Sequence, residues 1–276
     1  MLPVLKQRVL TALLLLPLVM AFIFALPAQW FPVLLAVVML AGSWEYKRLA
    51  GLSGQASGYL LVLIQLIILS LLYKYRIQWD DSAMVILYIC CAAWLLMFCR
   101  LPLYKPGNSV NGNYKIISFG TALLSITTGW FGLSWIRLQA DGAWLILLLL
   151  LIVWAADTGA YFAGKTFGKK KLAVHLSPGK TQAGLVGGLI TAPLVALLAA
   201  MLMPITGIDP TKLIVLSVVT ALVSVGGDLL ISLHKRISGF KDSGNLLPGH
   251  GGILDRIDSL LVAAPFFALL LLILGF

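Results

Sequence analysis

The sequence predicts an all-α, polytopic integral membrane protein with about nine transmembrane helices. Three observations carry that prediction. First, 61% of the 276 residues are hydrophobic and only 11% are charged, whereas a soluble domain is about 25% charged. Mean hydropathy is +1.01, and too few polar residues remain to cover a soluble core of this size. Second, nine apolar runs approach the roughly 20 residues a helix needs to cross hydrocarbon. Third, the loops between those runs alternate in positive charge.

The runs lie at 9–27, 30–44, 58–73, 82–99, 116–136, 143–163, 184–203, 212–232 and 253–275. Backbone groups in lipid must be satisfied within the segment, so each run is expected to be a helix. The first follows Lys6 and Arg8 and imitates a signal peptide, but it is longer than the usual h-region of about 7–15 residues. It reads as a retained first transmembrane helix. The second and third runs are short. The fourth holds Cys90, Cys91 and Cys99, without CxxC spacing, which suits small packing residues. Tryptophans such as Trp30, Trp44 and Trp130 fall near run ends, where aromatic belts form.

With the N-terminus cytoplasmic and all nine runs spanning, the C-terminus lies outside. Every Lys and Arg then falls on the cytoplasmic side except Lys74, Arg76, Arg137 and Lys212. The first two of those are offset in charge by Asp80 and Asp81. Adding or losing one span would spoil this split. The same bias explains most of the net charge of +10, and it also suits anionic lipids and phosphorylated substrates. No nucleic-acid partner is expected. The chain reads as one membrane domain, 1–276. Residues 1–150 are mainly scaffold helices, with Glu45 the acidic residue near a span. Residues 151–276 hold the chemistry, and a bacterial inner membrane with a cytoplasmic active site is the expected location.

The polar stretch Ser232–Asp258 lies between the last two apolar runs. Acids enter or open the spans on either side. Asp157 is near the cytoplasmic end of the sixth, Asp228 is inside the eighth beside Gly226 and Gly227, and Asp255 and Asp258 open the ninth. A charged Asp at mid-span costs about 2.5–3.5 kcal/mol on insertion scales. Taken alone, Asp157 or Asp258 reads equally as a helix-end acid reaching the interface; Asp228 does not. Asp255 and Asp258 are spaced i, i+3 and share a helix face. If the last two helices pack together, Asp228, Asp255 and Asp258 converge, and clustered carboxylates beside a phosphate site suggest Mg2+.

The intervening loop has the composition of a phosphate-handling loop. It offers Lys235, Arg236, Lys241 and His250, and its glycines permit close backbone approach. His250-Gly251-Gly252 leads into a helix N-terminus, a ready anion site. A solvated basic loop is the plain alternative, but one this rich in glycine and flanked by buried acids is uncommon. A second basic loop carries Lys165, Lys169, Lys170 and Lys171, then Ser177-Pro178-Gly179-Lys180-Thr181. Ser177, Lys180 and Thr181 are candidate phosphate contacts. Gly159–Thr166 matches the GxxxxGK[ST] pattern but begins inside a membrane helix, not after a strand, so a P-loop is rejected. His175 and His234 read as interface histidines.

Ser232, Lys235, Arg236, Lys241, Asp242, Pro248, His250, Gly251, Gly252, Asp255, Arg256 and Asp258 fit a spaced signature, S-x-x-K-R-x(4)-K-D, P-x-H-G-G, D-R-x-D. In these positions the chain resembles the phosphatidate cytidylyltransferase (CDP-diacylglycerol synthase) family. DTGAYFAGKTFGKKKL and SPGKT also look like that family's upstream block. The strong resemblance covers roughly 154–260. One departure is Gln182-Ala183-Gly184: the family often has an acidic residue or glutamine followed by glycine just after SPxKT, no acid stands here, and no role is assigned there.

The resemblance implies that CTP and phosphatidate are converted to CDP-diacylglycerol and pyrophosphate, with Mg2+, a second, monovalent cation such as K+, and a homodimer in the membrane. Two polyanions must meet, so positioning and charge neutralisation would carry catalysis. Asp228, Asp255 and Asp258 are the expected metal ligands. Lys235, Arg236, Lys241 and Arg256 are expected to neutralise the phosphates, and Asp242 to orient a cation or bind metal. His250 completes the catalytic set; Ser232, Gly251, Gly252, Ser177, Lys180, Thr181 and Asp157 complete the substrate contacts. Two rivals remain open at this point: a cation- or proton-coupled transporter using the Asp cluster, and another CTP-dependent lipid-phosphate enzyme.

Overall fold

A computed structural model of the protein describes residues 2–276 except Ser53, Thr206, Gly207, Ile208, Pro248 and His250. Its described residues form nine α-helices: α1 (Leu2–Phe24), α2 (Phe31–Leu49), α3 (Gln55–Lys74), α4 (Trp79–Phe98), α5 (Gly112–Leu138), α6 (Gly142–Phe167), α7 (Gln182–Leu202), α8 (Pro210–Ile237) and α9 (Leu254–Leu274). Each apolar run becomes one helix. Six of these, α3 and α5–α9, are long and apolar enough to cross a membrane by length and composition. In α1 and α4 the apolar stretches are shorter, Leu13–Phe24 and Ser82–Phe98, and α2 carries Glu45, Lys47 and Arg48 near its end. The protein is therefore an all-α integral membrane protein, with one addition that hydropathy did not predict. Lys171–Ala173 (β1) and Ser177–Thr181 (β2) pair antiparallel as a small hairpin between α6 and α7.

Local chemistry fixes the helix starts. Asn111 Oδ1 accepts the Tyr114 amide at 2.8 Å to cap α5, and Thr181 Oγ1 accepts the Gly184 amide at 3.0 Å to cap α7. At α8, Asp209 Oδ1 accepts from the amides of Thr211 and Lys212, with Pro210 as first helical residue. Those amides, Thr211's first, hold the exposed Asp209 carboxyl below its ordinary pKa.

α5 and α9 form the centre, and small residues let the backbones touch. A Cβ on Gly129 would meet the Leu261 backbone, and one on Gly132 the Ala264–Pro265 peptide. α6 and α7 join the same way, with Gly187 and Gly188 of α7 against Ala163, Gly159 and Ala156 of α6. The Thr191 hydroxyl donates to the Ala155 carbonyl across that seam at 2.9 Å. The outer helices are tied by polar bonds: Gln65 Nε2 to Thr127 Oγ1 at 2.9 Å and Trp94 Nε1 to Thr128 Oγ1 at 2.8 Å. α3 and α7 are only 22% and 28% buried over their apolar windows, against 56–61% for α5, α6, α8 and α9. That difference turns α3 and α7 outward.

Candidate active site

One end of the bundle gathers the C-terminal ends of α2, α6 and α8, the N-terminal ends of α7 and α9, and the hairpin. Two backbone features bring α8 and α9 together there. A Cβ on Gly227 would press on Val262 and on the Asp258 carbonyl oxygen, so the helices are in backbone contact. On the other side Gly226 receives the Phe98 ring. Asp228 therefore lies beside Asp258, close enough for the two carboxylates to repel.

Cations and acids are interspersed across this end. Lys180 Nζ, carried by β2, is 2.7 Å from Asp228 Oδ2, and Asp157 of α6 faces both. Ser232 Oγ donates to Asp228 Oδ1 at 3.2 Å, one turn along α8. Asp258 is 9% exposed, and its Oδ1 accepts the Ser259 amide at 2.8 Å. Lys235 Nζ lies 3.0 Å from Asp255 Oδ1. Asp157, Ser177, Lys180 and Thr181 line one cleft of about 310 Å3. The two basic regions read separately from the sequence, 165–181 and 232–258, thus meet through the Lys180–Asp228 pair.

The expected site residues have partners that spacing alone did not show. Asp255, an expected metal ligand with Asp228 and Asp258, is occupied by partners of the protein's own. Its Oδ1 takes Lys235, and its Oδ2 accepts the amides of Ser243 at 2.9 Å and Gly252 at 3.0 Å. Among the described residues no three His, Cys, Asp or Glu side chains are grouped to hold a metal ion. The α9 N-terminus is not an open anion site either, because it already holds an anion, Glu45. That carboxylate accepts the Ile253 amide at 3.1 Å, the Leu254 amide at 2.9 Å and the Ser243 hydroxyl at 3.0 Å. Helix N-terminal amides favour any negative charge, and here the protein supplies its own.

Gly252 is consequently needed for Glu45, since a Cβ there would collide with that carboxylate and with Ser243. Gly251 turns the chain at φ +82° beside Asp255. Thr181 is buried and its hydroxyl oxygen caps α7. Arg236 Nε donates to the Leu176 carbonyl at 3.0 Å, pinning the hairpin to the end of α8. Lys241, Asp242 and Arg256 are exposed on the loop and first turn. His250 and Pro248 lie outside the described residues.

Glu45 and Ser243 are the residues the sequence reading left without a role. Glu45 is 4% exposed, within a helix and between Trp44 and Tyr46. An acid in an apolar segment demands a partner, and that signal was visible. Its partner, more than 200 positions away in the chain, was not. His234 is fully buried behind the site, with Nδ1 2.9 Å from the Leu230 carbonyl and 3.3 Å from Tyr46 Oη. It packs between Tyr46 and Tyr114, which is a structural role.

The sequence model of the cytidylyltransferase family matches residues 6–274. A phosphatidate cytidylyltransferase of Pseudomonas aeruginosa is 38% identical over 285 aligned positions, covering 97% of both chains. One of Haemophilus influenzae is 36% identical, covering 96% of this chain and 97% of its own. One of Bacillus subtilis is 43% identical over 138 positions, about half of each chain (49% of this one, 50% of its own). With the match running through the helices, the hairpin and the α8–α9 seam alike, this chain belongs to the cytidylyltransferase family.

Proposed function

We propose that the protein transfers the cytidylyl group of CTP to phosphatidate, leaving CDP-diacylglycerol in the membrane and releasing pyrophosphate. The observation that carries this reading is the array of acids and cations Asp157–Lys180–Asp228–Asp258–Lys235–Asp255, built at one end of a membrane bundle in a chain of this family. A phosphatidate oxygen attacks the α-phosphorus of CTP, the bond to the bridging oxygen breaks, and pyrophosphate takes the electron pair. The lipid phosphate is itself the nucleophile, so no serine or cysteine is required. The residues' task is to hold two polyanions together and offset their charge.

The donor set suits a divalent cation at two carboxylates. Asp228 and Asp258 are side by side and repel, and Asp228 already draws the Lys180 ammonium to one oxygen. These two residues would hold Mg2+, and the ion when bound would withdraw charge from the CTP phosphates. A second, monovalent cation stays part of the proposal on the resemblance alone. Lys180 reaches the cleft from the hairpin and Asp228 orients it. Lys235 is held by Asp255 at the other side of Asp258. Lys241 and Arg256, exposed on the loop, supply further positive charge to the entering triphosphate.

The proposal extends to topology and assembly. Nine crossings with a cytoplasmic N-terminus are supported by loop charge and by one helix arising from each apolar run. That orientation puts the site on the cytoplasmic side of a bacterial inner membrane, where CTP is made. A homodimer follows from the resemblance. A transporter should spread its acids across the bilayer depth, whereas these form one connected cluster at one end. The test is direct. Purified protein in detergent, given labelled CTP, phosphatidate and Mg2+, should yield a labelled lipid nucleotide; folded protein that yields none would sink the reading.

A further inference from the structure

Beside the polar cleft lies a second and larger one, of about 450 Å3. One wall is the α8 face of Leu222, Gly226 and Leu229. The opposite wall is the hairpin, through Ala173, Val174 and Leu176. The connection from α4 to α5 closes a third side with Leu101, Pro102 and Tyr104. Among its lining residues only Tyr104 and His175 carry polar side-chain atoms. Leu172, Leu185 and Val225 line both clefts and so form the partition between them.

The hairpin itself is built two-faced. Its β2 strand carries Lys180 to Asp228, while β1 and the turn present Leu172, Ala173 and Val174 to the apolar side. Val174 is exposed at 56% and Leu222 at 49%, so both side chains are open to contact with a hydrocarbon chain. Arg236 fixes the hairpin over α8 through the Leu176 carbonyl, so both clefts share one rigid roof. A molecule that fits the pair has a phosphate at one end and a hydrocarbon tail at the other, joined within the width of three residues.

We propose that this apolar cleft is the subsite for one acyl chain of the lipid substrate, and that Leu222 and Ala173 set its capacity. The inference rests on the phosphatidate reading and adds where the lipid lies: phosphate toward Lys180, chain between the hairpin and α8. A concave site discriminates by added or missing methylenes, which a flat lipid-facing helix surface does not.

The test fills the cleft from each wall, using Leu222→Trp and, separately, Ala173→Phe. Neither residue lines the polar cleft. The full-length protein is assayed with dioleoyl and with dihexanoyl phosphatidate in the same detergent micelles. We expect kcat/KM for the dioleoyl lipid to fall about tenfold, mostly through KM, with the dihexanoyl value unchanged within about twofold. An equal change for both lipids, or no change for either, overturns the subsite; so does loss of both activities in both variants, since the cleft would then be inseparable from the chemistry. The unmodified protein reports on the underlying reaction: product with neither lipid would bring down that reading first, and the subsite with it.

Discussion

Asp255 and Asp258 stand one turn apart on the same helix, yet the structure treats them oppositely. Asp255, with Glu45 from α2, belongs to a saturated cap. Between them the two carboxylates accept the amides of Ser243, Gly252, Ile253 and Leu254, the Ser243 hydroxyl and the Lys235 ammonium. Asp258, with Asp228 from α8, belongs to an unbalanced seam. There two carboxylates repel across touching helices, and Lys180 answers only one of them. Residue type does not separate the pairs; partners do. A saturated carboxylate holds the chain in place, whereas a crowded one has charge left for a ligand.

The comparison breaks most readily at the seam. Asp228→Asn and Asp258→Asn should each cut kcat by about a thousandfold, while the thermal midpoint in detergent holds or rises because a repulsion is removed. Turnover within tenfold of the unmodified protein in either variant would take that residue out of the site.

At the cap the expected effect is on stability. Asp255→Asn leaves Lys235 unpaired where the two side chains are 13% and 7% exposed, at a cost of about 3 kcal/mol. The midpoint should drop and active protein should diminish, with the Mg2+ concentration for half-maximal rate unchanged. A normal midpoint with a shifted Mg2+ requirement would instead place Asp255 in the metal site. The smallest effect belongs to Glu45→Gln. It keeps the shape but removes the charge at the α9 N-terminus and turns an amide toward a backbone N–H, costing about 1–2 kcal/mol. Glu45→Ala, which also empties the cradle beside Gly244 and Gly252, should be worse. Equal midpoints for all three proteins would show that Glu45 does not hold the loop.

Much of the fold was legible because hydropathy is a local quantity. Burial in lipid requires about 20 apolar residues in a row, so every run announced its helix, and all nine appear. The signature residues were also legible, being fixed in spacing along 27 positions of chain from Ser232 to Asp258. The hairpin was hidden because its strands are too short, at three and five residues, to show alternation.

What the sequence by itself determined is the class of protein, the positions of its helices and the group of residues bearing the chemistry. What only the tertiary structure decided is the division of labour among them. Lys180 reaches Asp228 across 48 positions of chain, and Glu45 reaches Leu254 across 209. Periodicity and spacing carry no record of such distant pairings, because a carboxylate's role is set by which donors packing brings within about 3 Å. For that reason spacing could not show that two glycines of the loop, Gly244 and Gly252, make room for the protein's own glutamate.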